Sequence, residues 1–255
     1  MVEIKSDAAM DAMREAGRVV ALALAAVRAA AVPGVRPVEL DEVAREVIAE
    51  AGAKPAFLHY HPRFAPTPFP GVICVSVNDA IVHGIPGRTP LRRGDLVSVD
   101  CGAVLDGWTG DAAVSFTIGP GRPEDRRLVE AGERALAAGI AAAVPGARIG
   151  DIAHAIGRTG REAGYGIPDG FGGHGIGRRM HEAPDVPNEG RPGRGMRLRH
   201  GMVLAIEPML LAGGRDDFRH DPDGWTLRTT DGSRATHSEH TVAITDSGPR
   251  VLTLP

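Results

Sequence analysis

Residues 29–52, AAAVPGVRPVELDEVAREVIAEAG, and residues 141–164, AAAVPGARIGDIAHAIGRTGREAG, align without a gap at an offset of 112. Each copy reads as the end of one helix, a Pro-Gly stop, and a second helix that closes on Ala-Gly. An alanine-rich chain yields some such matches by coincidence. Val-Pro-Gly, Arg36 with Arg148 and Glu50 with Glu162, all in one register, argue instead for a duplicated unit. The repeat predicts a single domain over 1–255 made of two similar halves, about 1–120 and 121–255, with no low-complexity linker between them.

The segments around the copies extend the comparison. Ser6 can cap a helix that opens at Asp7 and runs to the Val32-Pro33-Gly34 stop, and further helices fit 38–52, 124–146 and 149–164. Segments 71–82, 95–105 and 111–119 read as strands from their β-branched content, the last two joined across Asp106-Gly107. RGDLVSVD (93–100) and HGMVLAIE (200–207) share a glycine, an apolar alternation and a terminal acid, so Asp100 and Glu207 occupy equivalent places. Each half adds a second acid before a β-rich run, Asp111 and Glu239. Four carboxylates thus arrive as two related pairs.

A two-residue turn at Asp106-Gly107 would set Leu105 opposite Trp108 and Gly102 opposite Asp111. Side chains two apart share a face, so Asp100 and Asp111 would project together as diagonal neighbours, roughly 7–8 Å apart at the backbone. Solvent exposure is the ordinary fate of any single acid. For four acids repeated across two halves, an inward arrangement around a cation is the better reading, because unpaired inward carboxylates repel and are costly to desolvate.

His174 lies in GGHGIGRRMHEAP (172–184), a run too glycine-rich for an ordinary helix, where glycines on both sides let backbone approach closely. It is the candidate nitrogen donor. His181, in the same run, and His83, in IVHGIPG, are candidates to face the substrate and donate hydrogen bonds to a developing oxyanion. A site of four carboxylates and one imidazole differs from the Cys/His cages of structural zinc and suits Mn, Fe(II), Co or Zn. Four negative charges exceed what one divalent ion needs, which points to two ions sharing carboxylates and to hydrolysis.

Composition narrows the alternatives. A net charge of −3 offers no basic face for nucleic acid and no polybasic membrane anchor. The N-terminus lacks a secretory signal and no apolar run reaches membrane-span length. Cys74 and Cys101 are too few for a disulfide framework, so a cytoplasmic protein is expected.

HGIPG, VSVDCGAVLDGWTGDAAVSF, GGHGIGRRMHEAPDVPN, VLAIEPML and HSEHTVAIT resemble, in order and separation, the signature segments of type I methionine aminopeptidases. The resemblance spans nearly the whole chain. It implies the pita-bread α/β fold, antiparallel sheets covered by two pairs of helices about a pseudo-two-fold. It also implies metal ligation by Asp100, Asp111, His174, Glu207 and Glu239, with Asp111 and Glu239 bridging two divalent ions. Glu207 would double as general acid/base, and His83 and His181 would stand beside the scissile peptide. The insertion of type II enzymes would lie between His181 and Glu207, and only 25 residues separate them, which favours type I.

A methionine pocket should be apolar and partly aromatic or sulfur-lined. Tyr60, Phe69, Cys74, Phe171, Met180 and Trp225 are its candidates. The chain departs from the family in a longer, Pro-rich 61–68 loop and in Met180, where an aromatic residue is common. The implied partners are N-termini of nascent polypeptides, with transient ribosome association and a monomeric state. Competing readings are an Xaa-Pro aminopeptidase or prolidase-like hydrolase, and a non-catalytic pita-bread binding protein. The first usually carries an extra N-terminal domain, and the second is expected to lose donors that this chain retains.

Overall fold

Asp106 and Gly107 both adopt left-handed backbone, at φ 50° and 76°. Their two-residue turn matches the twist of paired strands and sets the register of the longest hairpin. In the computed structural model, which describes residues 2–63 and 65–255, Leu96–Leu105 pairs with Trp108–Thr117. Leu105 faces Trp108, Gly102 faces Asp111 and Asp100 faces Ala113, the register expected from the turn.

Alternation along these strands divides their side chains between two environments. Val97, Val99, Cys101, Ala103, Ala112 and Phe116 enter an apolar core beneath two helices, α1 (Asp7–Ala30) and α2 (Pro37–Glu50). The intervening positions carry Ser98, Asp100, Asp111 and Ser115, so every polar group of the hairpin's middle falls on the face away from the helices. A second core joins α3 (Pro123–Ala142) and α4 (Ile149–Glu162) to Leu204, Ile206, Val242 and Ile244. Full burial of each such aliphatic side chain contributes about 1.5–3 kcal/mol.

The repeat has a structural meaning at its matched arginines and glycines. Arg36 and Arg148 are the N-caps of α2 and α4, and their backbone N–H groups donate to Glu39 at 2.8 Å and Asp151 at 2.7 Å. Gly34 and Gly146 precede these helices at φ +96° and +88°, while Gly52 and Gly164 follow them at +69° and +82°. Those values are left-handed, which any other residue adopts at a cost. Ser6 caps α1 by accepting from the Ala9 N–H.

The principal sheet is antiparallel, in the order Lys54–Pro55, Leu96–Leu105, Trp108–Thr117, Glu239–Thr245, Val203–Ile206, Gly172–Gly175, Glu182–Pro187. Ile73–Val77 also pairs with Leu96–Leu105, and Gly248–Val251 with Glu239–Thr245. Glu239–Thr245 is the seam, bonded on one side to a first-half strand and on the other to a second-half strand. Across that seam the Thr241 hydroxyl donates to the Asp111 carbonyl and accepts from its N–H.

The expected strand over 71–82 is two strands, Ile73–Val77 and Ala80–Val82. Asn78 adopts φ 58°, its side chain donating to Asp95 and accepting from the Leu96 N–H, and this breaks the extended run. Ala80–Val82 joins a small sheet with Leu227–Thr229 and Phe218–His220, which carries His83 and Trp225 towards each other. Among the described residues no helix is long and apolar enough to cross a membrane.

Candidate metal centre

The five expected donors lie on or beside five neighbouring strands. Asp100 and Glu239 both face Ala113 from opposite sides, and Asp111 is two residues before Ala113 on the same face. Ile206 faces His240, so Glu207 emerges next to Glu239 where its strand ends. Gly175 faces Leu204 and carries His174 to the same place. An added Cβ at Gly173 would lie 2.0 Å from the Ala205 carbonyl oxygen, and one at Gly175 2.2 Å from that of Ala183. Only glycine on both sides lets the backbone bring His174 this close.

His174 Nε2 is 3.5 Å from Glu207 Oε1 and 3.9 Å from Asp111 Oδ2. Its Nδ1 is 2.9 Å from the Gly175 carbonyl oxygen. A carbonyl only accepts, so Nδ1 carries the hydrogen and Nε2 is left to face the acids as a lone pair. Among the described residues two groups have donor atoms that all lie within 4.8 Å of one another inside the group: Asp111, His174 and Glu239, and Glu207, His237 and Glu239.

The electrostatics explain what the cluster needs. Burial pushes the Asp100 carboxyl up to about 7, and burial with the neighbouring carboxylates raises Asp111 and Glu239 well above the usual range. For Glu207 burial works in the same direction, but the imidazoles of His237, His174 and His181 around it favour the carboxylate and bring it below its ordinary value. Asp100 Oδ1, Asp111 Oδ1, Glu239 Oε1 and His237 Nε2 are buried without a hydrogen-bond partner. Buried polar atoms are rarely left so. Orphaned acceptor oxygens converging from both halves, with an imidazole lone pair among them, fit divalent cations.

The donors open into a cavity of about 160 Å³ that is lined also by Phe57, Tyr60, Phe69, Cys74, His83, His181 and Trp225. Phe69 meets Trp225 edge-on at 5.0 Å between ring centroids. The Trp225 indole N–H donates to the Thr67 carbonyl, which ties the 61–68 loop to the cavity wall. His181 stands at the mouth, one side open to solvent, its ring 4.2 Å from that of His174. Enclosure of the inner side, followed by the neighbouring His174 imidazole, pushes His181 down to about 4, and burial does the same for His83.

Phe171 and Met180, expected at the pocket, do not line the cavity. Phe171 packs edge-on against His83 and Phe218 and so supports His83 from behind. Met180 joins Met10, Met13, Ile176 and Leu252 in an apolar cluster that meets the cavity wall through Phe57. It immediately precedes His181, and with His181 turned to the cavity its neighbour is directed into the protein. Two lining or donor residues escape the sequence reading, Phe57 and His237. His237 is two residues from Glu239, and the period of two in extended chain could have paired them.

The model of metallopeptidase family M24 matches residues 11–246. Over 262 aligned residues the chain is 54% identical to methionine aminopeptidase 1 of Mycobacterium tuberculosis, covering 100% of this chain and 96% of that protein. The chain belongs to the methionine aminopeptidases of family M24. The crystal structure of the Thermotoga maritima methionine aminopeptidase superposes with a TM-score of 0.95 at 40% identity, each chain covered fully. A prolidase of Pyrococcus furiosus superposes at 0.78 with 22% identity over 99% of this chain and 65% of its own, a likeness of fold alone. As a methionine aminopeptidase the chain has the curled antiparallel sheet and paired helices of the pita-bread fold, and family and donor cluster together indicate divalent metal use.

Proposed function

We propose that the protein removes N-terminal methionine from polypeptides whose second residue is small, using two divalent ions held by Asp100, Asp111, His174, Glu207 and Glu239. The observation that carries this reading is the convergence of those five donors, drawn from both halves, with buried oxygens that nothing in the protein satisfies. Asp111 and Glu239, flanked by donors on both sides, are the carboxylates that would be shared if two ions bind. Mn, Fe(II), Co and Zn all suit this donor set. When bound, such ions supply Lewis acidity and make water a stronger acid.

The chain's own residues do the remaining work. Glu207 holds its carboxylate at the floor of the cavity, where it takes a proton from the attacking water and delivers it to the leaving amine. His83 and His181, uncharged at neutral pH, donate N–H bonds to the substrate carbonyl as negative charge develops on its oxygen. Tyr60, Phe69, Cys74 and Trp225, joined by Phe57, enclose an unbranched, polarizable side chain and exclude water from it. With the substrate amine gripped at the acids and its first side chain enclosed, little space remains beside the second residue. Cytoplasmic nascent chains, met by a monomer in transient contact with the ribosome, are the natural source of such substrates. One catalytic domain of two related halves contains the whole apparatus.

Comparison of kcat/KM for peptides beginning Met-Ala, Met-Leu, Leu-Ala and Xaa-Pro, each with Co, Mn, Fe(II) or Zn restored to metal-free protein, tests the reading. Met-Ala should lead by at least ~10-fold, the low end of what one or two methylenes in a pocket discriminate. Preference for the Xaa-Pro peptide would move the protein to the prolidase side of the fold. Metal binding without turnover of any peptide would favour a non-catalytic binding role.

A further inference from the structure

His237 is the one imidazole in the centre that neither the repeat nor the recognised motifs assign. It is 2% exposed, and its Nε2 has no hydrogen-bond partner. That nitrogen lies 3.4 Å from Glu207 Oε2 and 3.9 Å from Glu239 Oε2. Both distances are long for a hydrogen bond. They suit two donors on one ion, since ligand atoms ~2.0–2.3 Å from a metal stand roughly 3–4.6 Å from each other.

His174 provides an internal standard. Its Nε2 is 3.5 Å from Glu207 Oε1 and 3.9 Å from Asp111 Oδ2, nearly the spacing of His237. Glu207 thus turns one oxygen to each imidazole, and the two compact donor sets share only Glu239. The placement of His237 is built into the fold. Its N–H is shared between the hydroxyls of Ser98 and Ser115 at 3.3 and 3.1 Å, and its carbonyl accepts from Ser115 at 2.8 Å. Those serines are the polar cross-strand pair of the long hairpin, and their own contact is 2.7 Å. Every group that could let this backbone drift is bonded.

We propose that His237 is a sixth protein donor of the centre, binding through Nε2 the same divalent ion as Glu207 and Glu239. This rests on the two-ion reading above and refines it. Each donor set then has one imidazole, and the centre as a whole has four carboxylates and two nitrogens. Imidazole favours Zn, Fe, Ni and Cu over Mn. The second nitrogen therefore tilts the centre away from Mn.

X-ray absorption at the cobalt edge tests this on full-length protein titrated with Co(II) to saturation, read as imidazoles per protein chain. Wild type should show two, His174→Gln one and His237→Gln one. Calorimetry should show His237→Gln losing at least ~10-fold in cobalt affinity at one step, the order seen when a metal site loses even an outer partner. The ratio of Zn to Mn affinity should fall in the same variant. One imidazole per chain in wild type, unchanged by His237→Gln, would overturn the proposal and leave His237 as a positioning residue beside Glu207, with the two-ion reading intact. Failure of wild type to bind cobalt would remove both. Should His237→Gln not fold, the wild-type count decides alone.

Discussion

The Tyr60 hydroxyl lies 3.1 Å from His181 Nδ1, and the two rings stack with centroids 5.4 Å apart. Burial raises the Tyr60 phenol, so it stays protonated and can donate to Nδ1. The hydrogen of a neutral His181 is then on Nε2, the nitrogen left free for the substrate. Tyr60→Phe should lower kcat about 2–10-fold, the worth of one net hydrogen bond, with metal content unchanged. Nitrogen-15 spectra of the His181 ring should show a mixture of tautomers in the variant. An unaltered tautomer with unaltered kcat would dissociate Tyr60 from the chemistry.

Glu207 is flanked by two imidazoles and held from behind by Asn188, whose amide donates to the Glu207 carbonyl at 3.0 Å. Glu207→Gln keeps the size and removes the proton shuttle. Turnover should drop ~10²–10⁴-fold, the usual contribution of general acid/base catalysis. Metal analysis of the same samples separates this from loss of an ion. Near-normal turnover by a fully loaded variant would assign the proton to another group.

Stability of the chelated protein should fall as pH rises. Asp100, Asp111 and Glu239 have folded pKa values above their unfolded ones, so the folded state binds more protons across that window. Their contribution is fully present below about pH 4, the unfolded carboxylate range, and for Asp100 it is lost through about 7. Burial lowers His83 and His181 to about 4, which opposes this trend up to their ordinary value of 6.5, so melting of metal-free protein between about pH 6.5 and 8 should show the declining midpoint. A saturating divalent ion should reverse that trend, because ligation requires the deprotonated acids. A midpoint that rises with pH over that range in EDTA would contradict the reading.

Lys5 is buried and its Nζ is 2.8 Å from Glu182 Oε2, next to His181 in the chain. Glu182 also accepts from the Arg179 N–H at 3.1 Å, so this pair fastens the 177–182 segment to the N-terminus. Lys5→Met strands a buried carboxylate and should cost about 3 kcal/mol. That corresponds to a midpoint roughly 6–12 °C lower for a chain of this size. Lys5→Met with Glu182→Leu should recover most of the stability, since the unpaired charge is gone. No difference between single and double variants would show that the pair is not what secures the segment.

Gly17 of α1 meets Gly110 of the long hairpin, where an added Cβ would lie 2.8 Å from Gly17 backbone. At Gly17 it would lie 2.3 Å from the carbonyl oxygen of Leu252, a residue just past strand Gly248–Val251 whose own N–H is bonded to the Thr241 carbonyl. Gly17→Ala should therefore destabilise the protein by about 1–3 kcal/mol, the cost of overpacking, despite alanine's better helix propensity. A denaturation midpoint equal to or above wild type would refute the close approach.

Much of this protein is local and was legible in its sequence. The two copies at an offset of 112 announced two helix pairs, because Pro-Gly stops and Ala-Gly ends act on the chain within a few residues. Asp106-Gly107 fixed a register ten residues long, and with it the shared face of Asp100 and Asp111. Glycines flanking His174 marked a close backbone approach before its partner was known. What only the tertiary structure decided concerns contacts between distant segments. His237 entered the centre because the Ser98 and Ser115 hydroxyls of one half grip the backbone of the other. Met180 left the pocket because α1 offers it Met10 and Met13, while Phe57 entered it with Phe69 across the cavity. Asn78 broke a strand that β-branched residues favoured, because Asp95 and Leu96 bind its side chain. Turns and caps act within a few residues and can be read along the chain. Which buried side chain meets which across distant segments depends on how whole elements pack, and a period of two or 3.6 gives only the face a residue shares with its near neighbours in the chain.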